Sequence, residues 1–307
     1  MKIALVGIGT IAREQHIPAV TAHPTLELAA TASRNPDATM DGVPAYTSLA
    51  DLLDAEPAIP CVSLCTPPQA RFDDARRALQ AGRHVMLEKP PGSSLSEVHA
   101  LEDIAKEAGV TLFATWHSRE AAAVDAARDW LATRELRRVR IDWKEDVRKW
   151  HPGQEWIWQP GGLGIFDPGI NALSVMTAIL PVPIHLSAAT LHFPENRDTP
   201  IAADLHFVHP DGAEIEAHFD WRMDGGETWT VSIETSDGHA MLTEGGARFA
   251  VDGAEITGGE DQEYPRLYKR FAELVALNES EVDLAPMRHV ADAFTLGKRH
   301  VVAPFHW

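Results

Sequence analysis

Cysteine is nearly absent from this chain: two of its 307 residues, Cys61 and Cys65. Both lie in one apolar run, Cys61-Val62-Ser63-Leu64-Cys65, and positions i and i+4 of a strand are too far apart to bridge. That excludes a disulfide scaffold and leads to the expectation of a reducing, cytoplasmic setting. Basic residues are scarce as well, 27 Lys and Arg against 45 Asp and Glu, for a formal net charge of −18. A chain this acidic repels nucleic acid and anionic membrane, so neither is an expected partner. No run of about 20 apolar residues is present, which excludes a hydrophobic membrane-spanning helix. The opening Met1-Lys2-Ile3-Ala4-Leu5-Val6-Gly7 reads as a strand entering a turn, not as a secretory leader. No cluster of Cys, His or Asp has structural-zinc spacing, and no metal is expected.

What is present suits a globular protein. Hydrophobic residues make up 45% and charged residues 23%, and a chain of this length buries a large core without staples. The first part alternates short apolar strands (2–6, 26–31, 61–64, 84–87, 111–114) with helical patterns (11–22, 49–55, 70–81, 95–108). That alternation predicts βαβ units and a parallel, doubly wound sheet covered on both faces. After residue 114 the pattern changes. A helix over 121–133 leads to a strand at 139–145, a Trp- and Gly-rich loop and a helix beginning near Pro168. Six consecutive strands follow between 185 and 251, joined by short turns such as Pro210-Asp211-Gly212, and they predict an antiparallel sheet. Helices over 265–276 and 286–299 close the chain. The expected architecture is α/β: a dinucleotide-binding Rossmann domain over 1–118, and an α+β domain over 119–307 with a large, mainly antiparallel open-faced sheet. The helix near 286–299 is the candidate to pack back on the first domain. A sheet with a free face invites a homodimer through it.

The first turn, Gly7-Ile8-Gly9-Thr10-Ile11-Ala12, has the form G-x-G-x-x-A and stands between a strand and a helix. Its glycines permit a tight turn and let backbone approach a pyrophosphate, and Ala12 permits close helix–strand packing. The second strand ends in Ser33-Arg34, where a NAD-specific site usually has an acidic residue. A hydroxyl and a guanidinium suit a 2′-phosphate, so NADP is the expected cofactor. A surface arginine beside a NAD site with no acidic selector is the other reading, and NAD stays open. The strand-end turns Cys65-Thr66-Pro67 and Glu88-Lys89 are grouped with Gly7–Ile11, Ser33 and Arg34 as cofactor contacts.

Glu88-Lys89-Pro90 ends the strand at 84–87, at the edge of a doubly wound sheet where ligands bind. Pro90 restricts the lysine before it, which would hold Lys89 firmly. Downstream, Gly161-Gly162-Leu163-Gly164-Ile165-Phe166-Asp167-Pro168-Gly169-Ile170-Asn171 opens a helix, with Asp167 read as its N-cap and Asn171 one turn further along. In this order, the glycine turn, Glu-Lys-Pro and Asp-x-x-x-Asn resemble the Gfo/Idh/MocA oxidoreductases over essentially the whole chain. Many members carry His where this chain has Asn171. Asparagine cannot titrate, so the load of proton transfer moves to Lys89 and Asp167. Further stretches, Phe113–Arg119, Trp143–Arg148, Trp150–Gln154 and Gly162–Ser174, resemble the members that oxidise L-arabinose or D-galactose at C1.

That resemblance implies an NAD(P)-dependent aldose 1-dehydrogenase in which Lys89, His117, Glu145, Asp167 and Asn171 contact sugar hydroxyls. Chemistry asks for the same parts: a base for the anomeric O–H, a C1–H aimed at the nicotinamide, and polar groups that fix the ring. Lys89 and Asp167 suit the first task, and His117, Glu145 and Asn171 the third. Trp150 and His151 are added as substrate contacts, since an aromatic face covers the apolar side of a sugar, although core packing is the plainer reading of each tryptophan. Two other readings stand beside this one: a dehydrogenase of inositol, D-xylose or glucose on the same fold, and a sensor that binds NADP and sugar without turnover.

Overall fold

The computed structural model describes all residues 1–307, and the chain divides into two compact units. The first is Met1–His117 together with Tyr264–Asp283; the second is Ser118–Glu263 together with Leu284–Trp307.

In the first unit, β1 (Lys2–Val6), β2 (Glu27–Ala32), β3 (Ala45–Tyr46), β4 (Cys61–Leu64), β5 (His84–Leu87) and β6 (Leu112–Ala114) form one sheet in the order β3-β2-β1-β4-β5-β6. Every neighbouring pair is parallel. The order reverses between β1 and β4, which makes this a doubly wound sheet with its switch point at that seam. Both faces are covered, hence the nearly unbroken apolar strands. Ala4, Val6, Val62, Leu64, Val85 and Leu87 pack with Leu52, Leu79 and Leu101 of the helices Leu49–Ala55, Arg71–Gln80 and Leu95–Ala108. Two of those helices start on a serine cap, with Ser48 accepting from Asp51 N and Ser94 from Glu97 N. The alternate residues Ile3, Leu5, Cys61, Met86 and Phe113 meet Leu267, Tyr268, Phe271 and Leu274 of the helix Glu263–Leu277.

The second unit is built on β7 (Leu136–Lys144), β8 (His185–Pro194), β9 (Ala202–Val208), β10 (Glu214–Asp220), β11 (Thr228–Thr235), β12 (His239–Thr243), β13 (Arg248–Val251), β14 (Ala254–Gly258) and β15 (Lys298–Val302). They form one nine-stranded sheet, β14-β13-β12-β11-β7-β10-β9-β8-β15. Its pairs are antiparallel except β7 with β10 and β8 with β15. Helices Val124–Leu131, Phe166–Ile179 and Ala285–Leu296 cover one face. Along β10 the residues Ile215, Ala217 and Phe219 are buried, while their neighbours alternate outward, the period of a half-buried strand. Those outward residues are charged and paired across strands: Glu216 with Arg140 at 3.0 Å, and Asp204 with His218 at 2.7 Å and His192 at 3.2 Å.

Three expectations are corrected. The helix that rejoins the first unit is Glu263–Leu277, whereas Ala285–Leu296 packs on Phe166–Ile179 and β8. Both helices are amphipathic, and a one-dimensional pattern shows that a face is buried without naming what it is buried against. The last helix stops at Leu296 rather than near 299, and Lys298–Val302 is an edge strand alongside β8. Gly297 makes that corner, since a Cβ there would lie 2.4 Å from Ala293 O. Finally, Asp167 is not an N-cap: the helix starts at Phe166 after Ile165, with no side-chain cap, and Asp167 N itself donates to Gly164 O at 2.8 Å.

Candidate active site

At the carboxyl edge of the six-stranded sheet, Gly7 has φ +90°. A Cβ on it would lie 2.8 Å from Thr66 N and 2.9 Å from the Cys65 carbonyl carbon, so only glycine lets the turn after β1 run against the turn after β4. At Gly9 a Cβ would meet nothing within 4 Å. The open side of this cradle leaves backbone accessible to a pyrophosphate, while Ala12 is fully buried behind it. Ile8 is buried, and Thr10 and Ile11 are exposed. Ser33 follows β2 directly, its N–H held by Tyr46 O at 2.9 Å and its hydroxyl accepting from Asn35 N at 3.2 Å. Arg34 beside it is exposed. Cys65-Thr66-Pro67 and Glu88-Lys89 end β4 and β5 at the same edge.

Beneath that edge is a buried polar network that the sequence reading missed. Glu88 was grouped with the cofactor contacts, yet its carboxylate turns into the protein. Tyr264 Oη donates to Glu88 Oε1 at 2.6 Å, and His16 Nε2 lies 3.4 Å from the same oxygen. His16 Nδ1 is 2.7 Å from Tyr268 Oη, which donates to Ser63 Oγ at 3.2 Å. Burial opposes ionisation of Glu88, but the contact with His16, the charges of His16 and His117 and the Tyr264 hydroxyl outweigh it and hold the carboxyl at about 2. Burial also opposes charge on His16, and Cys65, Tyr268 and Glu88 together raise it well above the ordinary histidine range. The His117 ring stacks on Tyr264, 5.5 Å between centroids. Arg71, at the start of its helix and 2% exposed, donates to Thr66 O through Nε at 3.1 Å, and through its terminal nitrogens to the carbonyls of Thr66, Glu88 and Pro90. Nothing in the run Arg71-Phe72-Asp73-Asp74-Ala75-Arg76-Arg77 sets this arginine apart from the other two, so the sequence held no signal for the contact.

The second unit brings together the other candidate residues. Glu145 follows β7 and is buried; its Oε1 accepts from Trp221 Nε1 and its Oε2 from Trp229 Nε1, each at 3.0 Å. Burial raises its pKa, against the two indole donors and His151, with Asp167 adding to the rise. Asp167 Oδ2 pairs with His151 Nε2 at 3.2 Å, and His151 Nδ1 lies 3.4 Å from Gln154 Oε1. Because the helix begins two residues earlier than expected, the Asp167 carboxylate is released from capping and serves this pair. Asn171 stands one turn along the helix from Asp167, half-buried. Close approach fixes the loop. A Cβ on Gly162 would lie 2.1 Å from Trp156 O, one on Gly164 2.4 Å from Pro200 O, and one on Gly169 2.7 Å from the Phe219 ring.

Trp150 is 44% exposed, with its ring 5.7 Å from Trp229. Its Nε1 donates to Glu227 Oε1 at 2.6 Å, and the same oxygen pairs with Lys149 at 2.8 Å, whose ammonium lies over the Trp150 ring at 4.7 Å from the centroid. Trp158, by contrast, is buried between Trp221 and Phe305 and belongs to the core. Trp221, Trp229 and Glu227 escaped the sequence reading because they reach Glu145 and Trp150 from 76, 84 and 77 residues away. No group of three or more His, Cys, Asp and Glu side chains is arranged to hold a metal ion, and no helix is long and apolar enough to cross a membrane.

A glycine turn at the switch point of a doubly wound sheet, with ionisable groups at the same edge, is the architecture of dinucleotide-dependent oxidoreductases. Residues 1–115 match the profile of the oxidoreductase family with an NAD-binding Rossmann fold. Over 318 aligned residues the chain is 42% identical to galactose 1-dehydrogenase of Pseudomonas fluorescens, covering 100% of this chain and 99% of that one. The crystal structure of D-galactose-1-dehydrogenase from Rhizobium etli superposes with a TM-score of 0.96 at 54% identity, over 99% of this chain and 97% of that one. A 3-ketoreductase from Actinomadura kijaniata in complex with NADP shares the fold at a TM-score of 0.82 and 19% identity, over 98% and 99% of the two chains. The chain belongs to the Gfo/Idh/MocA family of oxidoreductases.

Proposed function

We propose that the chain is an aldose 1-dehydrogenase that oxidises C1 of D-galactose or L-arabinose to the aldonolactone, with NADP as the preferred acceptor. The observation that carries this reading is the full-length similarity to two galactose 1-dehydrogenases, on a chain that has Lys89, Glu145 and Asp167 to do the chemistry. The two pyranoses share ring stereochemistry and differ by one exocyclic CH2OH, so one pocket serves both. The cradle of Gly7 and Gly9 fits a dinucleotide, with Ser33 and Arg34 at its ribose end and Thr66, Pro67 and the Lys89 turn further along the edge. When bound, the nicotinamide supplies the two-electron acceptor for the hydrogen on C1. The chain's own groups do the rest. Lys89 and Asp167 take the proton from the anomeric hydroxyl as the C1–O bond becomes a carbonyl. His117, Glu145, His151 and Asn171 fix the ring hydroxyls, and Trp150 covers the apolar C–H face. Incubating the protein with NADP or NAD and a panel of D-galactose, L-arabinose, D-xylose, glucose and inositol, and following reduced nicotinamide, tests the reading. Turnover of galactose or arabinose ahead of the others supports it, and absence of turnover with both overturns it.

Arg34 is the proposed selector of NADP. Replacing Ser33 by Asp and Arg34 by Leu removes a charge-assisted phosphate contact worth about 1.5–3 kcal/mol, so NADP should lose roughly ten- to a hundred-fold in kcat/KM relative to NAD. Equal or better kcat/KM with NAD in the unmodified protein would contradict the assignment. Asn171 is proposed to orient the sugar without exchanging protons. Asn171→Ala should lower turnover and leave both limbs of the pH–rate profile in place, whereas a displaced limb would assign proton transfer to it.

A further inference from the structure

We infer that Arg71 is a positioning residue for Lys89, holding the main chain on both sides of it. Its guanidinium bonds the carbonyls of Glu88 and Pro90, the residues immediately before and after Lys89, and ties them to Thr66 O in the turn after β4. Glu88 is gripped on its other side as well: its N–H donates to Leu64 O at 3.1 Å, and its carboxylate is held by Tyr264 and His16. The peptide that carries Lys89 is thus fixed from β4, from the helix starting at Arg71, and from the helix Glu263–Leu277.

Arginine is the side chain this task requires. Three carbonyls belonging to two different turns need several N–H donors in a rigid plane, which guanidinium offers and a lysine ammonium, a compact point charge, does not. The group is almost wholly removed from water. Burial pulls its pKa down to about 10, and the neighbouring Glu88 carboxylate resists that fall, so it stays charged at neutral pH. A buried cation is costly unless its hydrogen bonds are met, and here they are met by the backbone that presents Lys89. Removing the fork leaves those carbonyls unpaired and lets Lys89 shift. Displacement of a reacting group by about 1 Å costs on the order of 10²-fold in rate.

This inference rests on the assignment of proton transfer to Lys89 and is tested beside it. Arg71→Lys and Arg71→Gln are compared with Lys89→Ala for kcat, sugar KM, affinity for reduced nucleotide and thermal midpoint. The expected result for Arg71→Lys is a kcat lowered by about 10–10²-fold, with sugar KM and nucleotide affinity changed only a few-fold. In Arg71→Ala, millimolar methylguanidinium should restore part of kcat and methylammonium should not. If a variant fails to fold, the others give the same reading, normalised to the sites that bind nucleotide. Wild-type kcat per binding site in Arg71→Lys and Arg71→Gln would overturn the inference, as would losses of kcat matched by equal losses of nucleotide affinity. If Lys89→Ala retains turnover, the assignment to Lys89 fails instead. If Lys89→Ala is inactive while the Arg71 variants turn over normally, only the positioning role fails.

Discussion

Lys89→Ala is expected to lower kcat by roughly 10²–10⁴-fold, the usual worth of a positioned acid–base group. Nucleotide affinity should stay near that of the unmodified protein, because the Gly7 turn, Ser33 and Arg34 are untouched. The substitution also leaves the backbone bonds of Arg71 to Glu88 and Pro90 in place, so the fold of the β5 turn should persist. Steady-state rates with D-galactose and fluorescence titration with reduced nucleotide separate the two effects. If turnover stays within a few-fold of wild type at neutral pH, the proton acceptor is to be sought at His117, His151 or Glu145.

Asp167→Ala should be comparably severe. Asp167 is buried and pairs with His151 at 3.2 Å, so truncation removes a carboxylate and takes an ion-pair contact from the imidazole at once. The nearby Glu145 lies in the same field: Asp167 contributes to the rise of its pKa, and loss of that charge should let Glu145 ionise more readily. Lys89 and Asp167 are proposed to act as one unit, so the double mutant should be little worse than either single one. Losses that multiply in the double mutant would show two independent roles. Asp167→Asn, which keeps the volume, distinguishes loss of charge from loss of packing; near-normal kcat in that variant would remove Asp167 from the proton chemistry.

What the sequence disclosed and what it withheld divide along a physical line. The Gly7 turn, the Ser33-Arg34 strand end and the Glu88-Lys89-Pro90 turn are runs of consecutive residues whose geometry is local. Five of the six parallel strands were readable for a similar reason, since strands buried on both faces are apolar throughout; the two-residue strand Ala45–Tyr46 at the sheet's edge is not buried and gave no such signal. The network under Glu88 was not readable, because Tyr264 reaches it from 176 residues away and Arg71 binds backbone oxygens, which carry no sequence signature. Glu145 is a candidate that the sequence names, but its two indole donors, Trp221 and Trp229, reach it through strand register that cannot be seen in one dimension. The misreading of Asp167 as a cap came from a strong local rule, an Asp-Pro at a helix start. The positive-φ turn at Leu163 and Gly164 overrode it by starting the helix two residues sooner.

The helix Glu263–Leu277 has a consequence for how the protein is made. The face of the six-stranded sheet formed by Ile3, Leu5, Met86 and Phe113 is covered by side chains encoded far downstream. A nascent chain that has just emerged as far as His117 holds all six strands but lacks that cover, and it must wait until Asp283 has been synthesised. At about 5–20 residues per second the wait is on the order of ten seconds. During that interval Ala12, Ala19 and Val20 already pack against this face, but the part that Leu267, Tyr268, Phe271 and Leu274 cover is exposed to solvent and to chaperones. The unit that begins at the N-terminus is therefore finished only after nearly all of the other unit's chain has been translated, which reverses the usual order of vectorial folding.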